Sequence, residues 1–150
     1  MTDHTRVMLT PEGRASLQAR VDEIAHEELP AMRPLLVEDE RDERVVADFE
    51  RLQAEHDRLA VLLGTSGTLD LDSLGPVITL GSRVAITDAD GERLIVRIVD
   101  PVEAYLDEER ISETSPLALA LLGHGVGDEC VVVAPASTWT ATVLAIGEQI

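Results

Sequence analysis

The residues best suited to chemistry are five carboxylates in one polar stretch, Glu38, Asp39, Glu40, Asp42 and Glu43, with Arg41 and Arg44 among them. Carboxylate oxygens are hard ligands. Two of them three residues apart, as in Asp39 and Asp42, can share one hard cation such as Mg2+. Two ligands do not make a tight site, so the pair would complete a site that another protein half fills. The plain alternative is a polar turn between exposed helices. Other candidates are weaker. Gly123-His124-Gly125-Val126-Gly127-Asp128 is glycine-rich, but it lacks the spacing of a dinucleotide fingerprint and the lysine of a phosphate loop, so it reads as a turn. His4, His26, His56 and His124 show no metal-ligand spacing. Cys130 lies in an apolar run and reads as a small buried hydrophobe. As the sole cysteine it makes neither an internal disulfide nor a CxxC zinc motif. Ser115 and His124 are rejected as parts of a nucleophilic triad, because Ser115 has a capping role.

The acidic stretch lies between two segments of helical apolar spacing. Leu17, Val21, Ile24, Met32 and Leu36 precede it; Phe49, Leu52, His56, Leu59 and Leu62 follow. Steps of three and four residues place each set on one helical face. A helix that is apolar on one stripe must bury it, so the two fold back on each other and the acidic stretch becomes the turn of a hairpin. The first helix is predicted from Pro11 to about Glu38, with Thr10 as N-cap and Pro11 at its first position. Pro30 and Pro34 predict a bend. The second helix runs from Arg41 or Glu43 to Leu63, with Gly64 as a left-handed C-terminal cap. Thr65-Ser66-Gly67-Thr68 is the boundary, dividing the chain into residues 1–66 and 67–150. Beyond it the period changes to two. Val84 and Ile86 alternate up to a hairpin turn at Asp88-Ala89-Asp90-Gly91, and Leu94, Val96 and Ile98 alternate after it. Ser115-Pro116 opens a short helix closed by Gly123, and Cys130–Val133 and Thr138–Ile146 read as strands. The fold class is α+β, a helical hairpin followed by a small antiparallel sheet with one short helix.

Composition narrows the partners. The formal charge is −17, with 17 Asp+Glu against 8 Arg in residues 1–75 and 12 against 4 in residues 76–150. Acidity spread over both halves repels phosphate backbones, so duplex nucleic acid is not expected as a ligand. The N-terminal residues MTDHTRVMLT lack the apolar core of a signal peptide, and no stretch approaches the ~20 apolar residues of a membrane helix. A cytoplasmic monomer is expected.

The second half carries a set of motifs. Gly81-Ser82-Arg83-Val84 opens a strand, and Arg97-Ile98-Val99 follows. Ile111-Ser112, Ser115-Pro116, Leu121-Leu122-Gly123 and Gly127-Asp128 come after at close spacing. With Leu9-Thr10, Gly13, Leu17 and Pro30 near the N-terminus, this set resembles the Gre family of bacterial transcript-cleavage factors. The resemblance implies an N-terminal antiparallel coiled coil and a C-terminal FKBP-like domain. It also implies RNA polymerase as partner. The FKBP-like domain would dock at the rim of the secondary channel, with Ser112, Ser115, Pro116, Leu122 and Gly123 as docking candidates, and the coiled coil would enter the channel. In cleaving members an Asp and a Glu at the tip, in a D-L-[KR]-E-N context, help hold a magnesium ion at the polymerase's own catalytic site, so the factor donates ligands and is not itself the enzyme. Here the tip reads Asp39-Glu40-Arg41-Asp42-Glu43. Aligned from the second helix, Asp42 takes the place of the family Asp and Val45 that of the Glu. The hairpin is also shorter by about one turn per arm, or roughly 5 Å. Both departures predict a channel-binding inhibitor or modulator. The alternatives are a true cleavage-stimulating factor sharing Mg2+ through Asp39 and Asp42, or Asp42 and Glu43, and an FKBP-like module for another partner or for prolyl isomerisation. Phe49, Tyr105 and Trp139 are the only aromatics, which speaks against an isomerase pocket.

Overall fold

The computed structural model describes residues 6–37 and 42–150. Glu38, Asp39, Glu40 and Arg41 lie outside the described residues. The chain is mixed α+β and divides into two compact units. One is a helical unit of Pro11–Gly67 with Met1–Val7. The other is a body of Met8–Thr10 with Thr68–Ile150.

The helical unit holds one long helical run and one partner helix. The run consists of α1 (Pro11–Glu23), a π-turn (Ile24–Glu28) and α2 (Leu29–Leu36). Just before Pro30 the run holds the π-turn, in which the Leu29 N–H donates to Ile24 O, five residues back, and Pro34 lies inside α2. The reason is readable in the spacing. Leu17, Val21 and Ile24 are buried, and the next buried residue is Leu29, a step of five. An α-helix does not keep such a step on one face, but a turn with one extra residue does. Pro30, which lacks an N–H, sits where the first turn of α2 asks little of it.

The partner helix α3 spans Glu43–Thr65, and Asp42 is its N-cap. It is longer than expected, and Gly64 lies inside it and not at a left-handed cap, because Arg14 satisfies the free carbonyls there. Its guanidinium donates to Leu63 O at 3.0 Å, to Ser66 Oγ at 2.7 Å and to Gly67 O at 3.1 Å. Arg14 meets residue 63 while Arg20 meets Glu55, so the two helical runs pair in opposite directions. Burying Leu17, Val21, Ile24, Leu29 and Leu59 stabilises this pairing by about 1.5–3 kcal/mol per side chain.

Strands β1 (Met8–Leu9) and β2 (Gly67–Thr68) form a two-stranded ribbon. A curled five-stranded sheet contains β3 (Arg83–Thr87), β4 (Arg93–Val99), β5 (Arg110–Ser112), β6 (Glu129–Val133) and β7 (Thr138–Ile146), in the order β5-β4-β3-β7-β6. The β3–β4 hairpin closes at the expected turn, where Gly91 has φ 81° and Asp88 Oδ1 accepts from the N–H groups of Asp90 and Glu92. The sheet is not purely antiparallel, as β5 pairs with β4 in parallel. The short run Arg110–Ser112 gives no alternation signal of its own, so tertiary pairing decides its place. Helix α4 (Pro116–Leu121) covers the inner face. Val84, Ile86, Val96, Ile98, Ala118, Leu121, Cys130, Val132 and Val143 make an aliphatic core, and Trp139 packs against it. Cys130 is buried as expected, and burial pushes its thiol pKa up.

Candidate functional site

Two regions, one in each unit, hold the candidate residues. In the helical unit only Asp42 and Glu43 of the acidic stretch fall among the described residues. Asp42 Oδ1 accepts the N–H of Arg44 at 2.8 Å, and Asp42 O accepts from Val45 N at 3.0 Å. Its carboxylate therefore serves first as a helix cap, favoured beside the positive end of α3. Glu43 is exposed in the first turn, and Val45 occupies the position three residues after the cap. Among the described residues no group of three His, Cys, Asp or Glu could hold a metal ion. Asp39 lies outside the described residues, so its pairing with Asp42 does too.

Further along the helical run, Arg20 gathers three carboxylates. It meets Glu55 of α3 at 2.9 and 3.2 Å, Glu28 at 2.5 Å and Glu23 at 3.3 Å. The hydrogen bond from Arg20 holds Glu55 below the usual carboxylate range. His56, expected on the inner stripe, is largely covered, and its Nδ1 lies 3.1 Å from Asp57 Oδ1.

In the body the docking candidates cluster around α4. Ser112 ends β5, its Oγ 2.8 Å from Thr114 Oγ1. Ser115 caps α4, accepting the N–H of Ala118 at 3.2 Å, and Pro116 follows at the first helical position, exposed. Leu122 packs against the core cluster. Gly123 adopts φ 87°, the left-handed region that favours glycine, and donates its N–H to Ile78 O. What sequence reasoning missed is the surface beside them. Pro116, Leu119 and Ala120 of α4 and Val131 and Val133 of β6 line an apolar groove of about 240 Å³. Leu119, Val131 and Val133 are 63%, 60% and 70% exposed. The signal was the alternation in Glu129–Val133, where Val131 and Val133 face outward although they are apolar. An apolar groove left open to water marks a place for a partner. The His124–Asp128 pair lies in the glycine-rich turn. Asp128 accepts the N–H of Gly125 at 2.9 Å and faces His124 Nδ1 at 3.2 Å, and both depress its pKa, the backbone bond first. These bonds brace the turn.

Comparison with known proteins now bears on the chain. Residues 74–148 match the family described as transcription elongation factor, GreA/GreB, C-term. The chain belongs to the GreA/GreB family. It is 30% identical over 154 residues to the transcription elongation factor GreA of Hyphomonas neptunium, covering 94% of this chain and 97% of that relative. It is 46% identical over 81 residues to the transcription inhibitor protein Gfh1 of Thermus aquaticus, covering 52% of this chain. That match spans about half of the Gfh1 length, 51%. A crystal structure of Thermus aquaticus Gfh1 aligns over 95% of this chain and 98% of its own, at 34% identity and a TM-score of 0.43. Among the described residues of this GreA/GreB-family chain, no helix is long and apolar enough to cross a membrane.

Proposed function

We propose that this chain binds RNA polymerase and inhibits or tunes transcription without strong stimulation of RNA cleavage. In this reading the two helical runs are a coiled-coil hairpin that enters the secondary channel. The sheet and α4 are an FKBP-like body that docks at the channel rim through the groove at Pro116, Leu119, Val131 and Val133. The observation that carries the reading is the commitment of Asp42. One of its carboxylate oxygens caps α3, and the position three residues on is Val45, whose side chain has no oxygen to offer a cation. Ligand-assisted hydrolysis tolerates little misplacement of its donors. The name of the Thermus relatives, transcription inhibitor, agrees with it. The chain has no catalytic residues of its own in this scheme. A single-round assay on a backtracked elongation complex tests it. Purified protein should slow RNA extension and compete with a cleavage factor, and RNA shortening would overturn the inhibitory reading.

A second reading is favoured by the match to GreA over nearly the whole chain. There the protein stimulates cleavage, and Asp42 with Glu43 or Asp39 shares Mg2+ with the polymerase. Under that reading the same assay shows shortened RNA, and Asp42→Asn abolishes the shortening.

A further inference from the structure

The helical run carries two competing apolar registers. Leu17, Val21 and Ile24 step by four and three. An uninterrupted α-helix would continue the stripe at Glu28, Ala31 and Leu35. The structure instead buries Leu29, half-buries Met32 and Leu36, and leaves Ala31 and Leu35 exposed. The difference between the registers is the one extra residue held in the π-turn Ile24–Glu28. Arg20 reports which register is present. It reaches Glu28, eight residues on, at 2.5 Å. Eight residues are about 2.2 turns of α-helix, which would swing Glu28 off the Arg20 side. With the extra residue they are about two turns, which returns it.

We propose that Ile24–Glu28 is a two-position rotary joint and that Arg20 is its catch. In the position seen here the extra residue is held in the π-turn, and α2 presents Leu29, Met32 and Leu36 inward. In the other position the segment is α-helical, α2 is turned by about 100° on its axis, and Glu28, Ala31 and Leu35 take the inner side. Burial of Leu29, the missing N–H of Pro30 and the Arg20–Glu28 bond favour the first position. The regular i→i−4 ladder and the burial of Leu35 favour the second. Arg20 also holds Glu55 of α3, so the catch ties the setting of α2 to the partner helix. The joint thereby selects which side chains of α2 a partner meets. This goes beyond the polymerase reading and does not rest on it.

Thiol labelling of the full chain tests the proposal, with buried Cys130 as the slow reference. Ala31→Cys and Met32→Cys are adjacent, mild changes, and in the parent Ala31→Cys should react faster. Adding Arg20→Gln should make Met32→Cys react about tenfold faster, the factor one charge-assisted hydrogen bond supports, and should make Ala31→Cys react more slowly. Acceleration at both positions would mean fraying and would overturn the joint, as would no change at either. Deleting His26 removes the extra residue and leaves the apolar steps at four, three, four, three and four. In that background Arg20→Gln should leave both rates unchanged, and a surviving reversal would equally overturn the proposal.

Discussion

The helical unit and the body use arginine in opposite ways. In the body, Arg83, Arg97 and Arg110 stand side by side on β3, β4 and β5, since Arg83 pairs with Arg97 and Arg97 with Arg110 in the sheet register. Like charges directly opposite one another destabilise a sheet unless they are neutralised. Each is neutralised. Arg83 meets Glu109 at 2.9 Å, and Arg97 holds Glu148 with two bonds of 2.6 Å and also donates to Gly81 O. Arg110 bonds Asp107 and, at 3.3 Å, the fully buried Glu103, which also accepts from Thr10 N and Thr10 Oγ1. In the helical unit Arg20 alone gathers three carboxylates but keeps 29% of its side chain exposed. Within the body the Arg110–Glu103 pair, 4% and 0% exposed, is sealed from water and fixed in one arrangement, because an unpaired charge there is costly. One that water reaches can exchange partners.

Five tests would break or sharpen that contrast, and Trp139, the only tryptophan, reports on the body alone. The largest effect is expected for Glu103→Ala, which removes the buried carboxylate shared by Arg110 and Thr10 and should cost the body about 3–5 kcal/mol in urea unfolding followed by tryptophan fluorescence. A loss below 1 kcal/mol on the same scale would remove the distinction between sealed and open networks. Next, Leu119→Asp puts a charge into the groove beside β6. It should weaken the proposed polymerase binding by about 2 kcal/mol, the scale of an interface hot spot, and leave the Trp139 midpoint in place. Third, Arg20→Met should lower the stability of the helical signal at 222 nm by about 1 kcal/mol, discounted for its exposure, with no change at Trp139. Asp42→Ala should cost α3 about 1 kcal/mol or less, while Asp42→Asn, which caps equally well, should cost almost nothing. Any loss of the proposed effect on polymerase in Asp42→Asn would then reflect the carboxylate's charge and not the cap.

The smallest effect expected is in acid. Glu55 beside Arg20 and Glu148 beside Arg97 both titrate below their ordinary value of 4.5. A carboxylate with a depressed folded pKa contributes stability that is complete above its unfolded pKa and disappears as pH falls through the folded one. Both units should therefore hold their stability down to about pH 5 and lose part of it below the ordinary carboxylate range. Equilibrium unfolding at stepped pH, read at 222 nm and at Trp139, checks each separately. Loss beginning above pH 6 in either signal would require a different titrating group.

Much of the local architecture was legible because caps, turns and stripes are written within a few residues of one another. Thr138–Ile146 forms β7 with the expected bounds, Ser115 caps α4, and the Asp88–Gly91 turn closes its hairpin. The spacing also held the π-turn, in the step of five from Ile24 to Leu29, but only a list including Leu29 displays it. Of the candidate sites, Asp42 was legible as an acidic group at a helix start, and Pro116 as an exposed helix-opening residue. The cap that occupies the Asp42 carboxylate was not, since it depends on where α3 begins.

The sequence by itself determined the helical pairing, the change to a sheet and the family motifs, because each arises from side chains a turn or a pleat apart. Tertiary structure alone decided the rest. It set β5 parallel beside β4, aligned three arginines from separate strands, brought Glu103 to Thr10 and opened the groove between α4 and β6. Those arrangements join residues well beyond a helical turn or a strand pleat apart, and their energies come from burial and charge pairing that exist only once the chain has closed on itself.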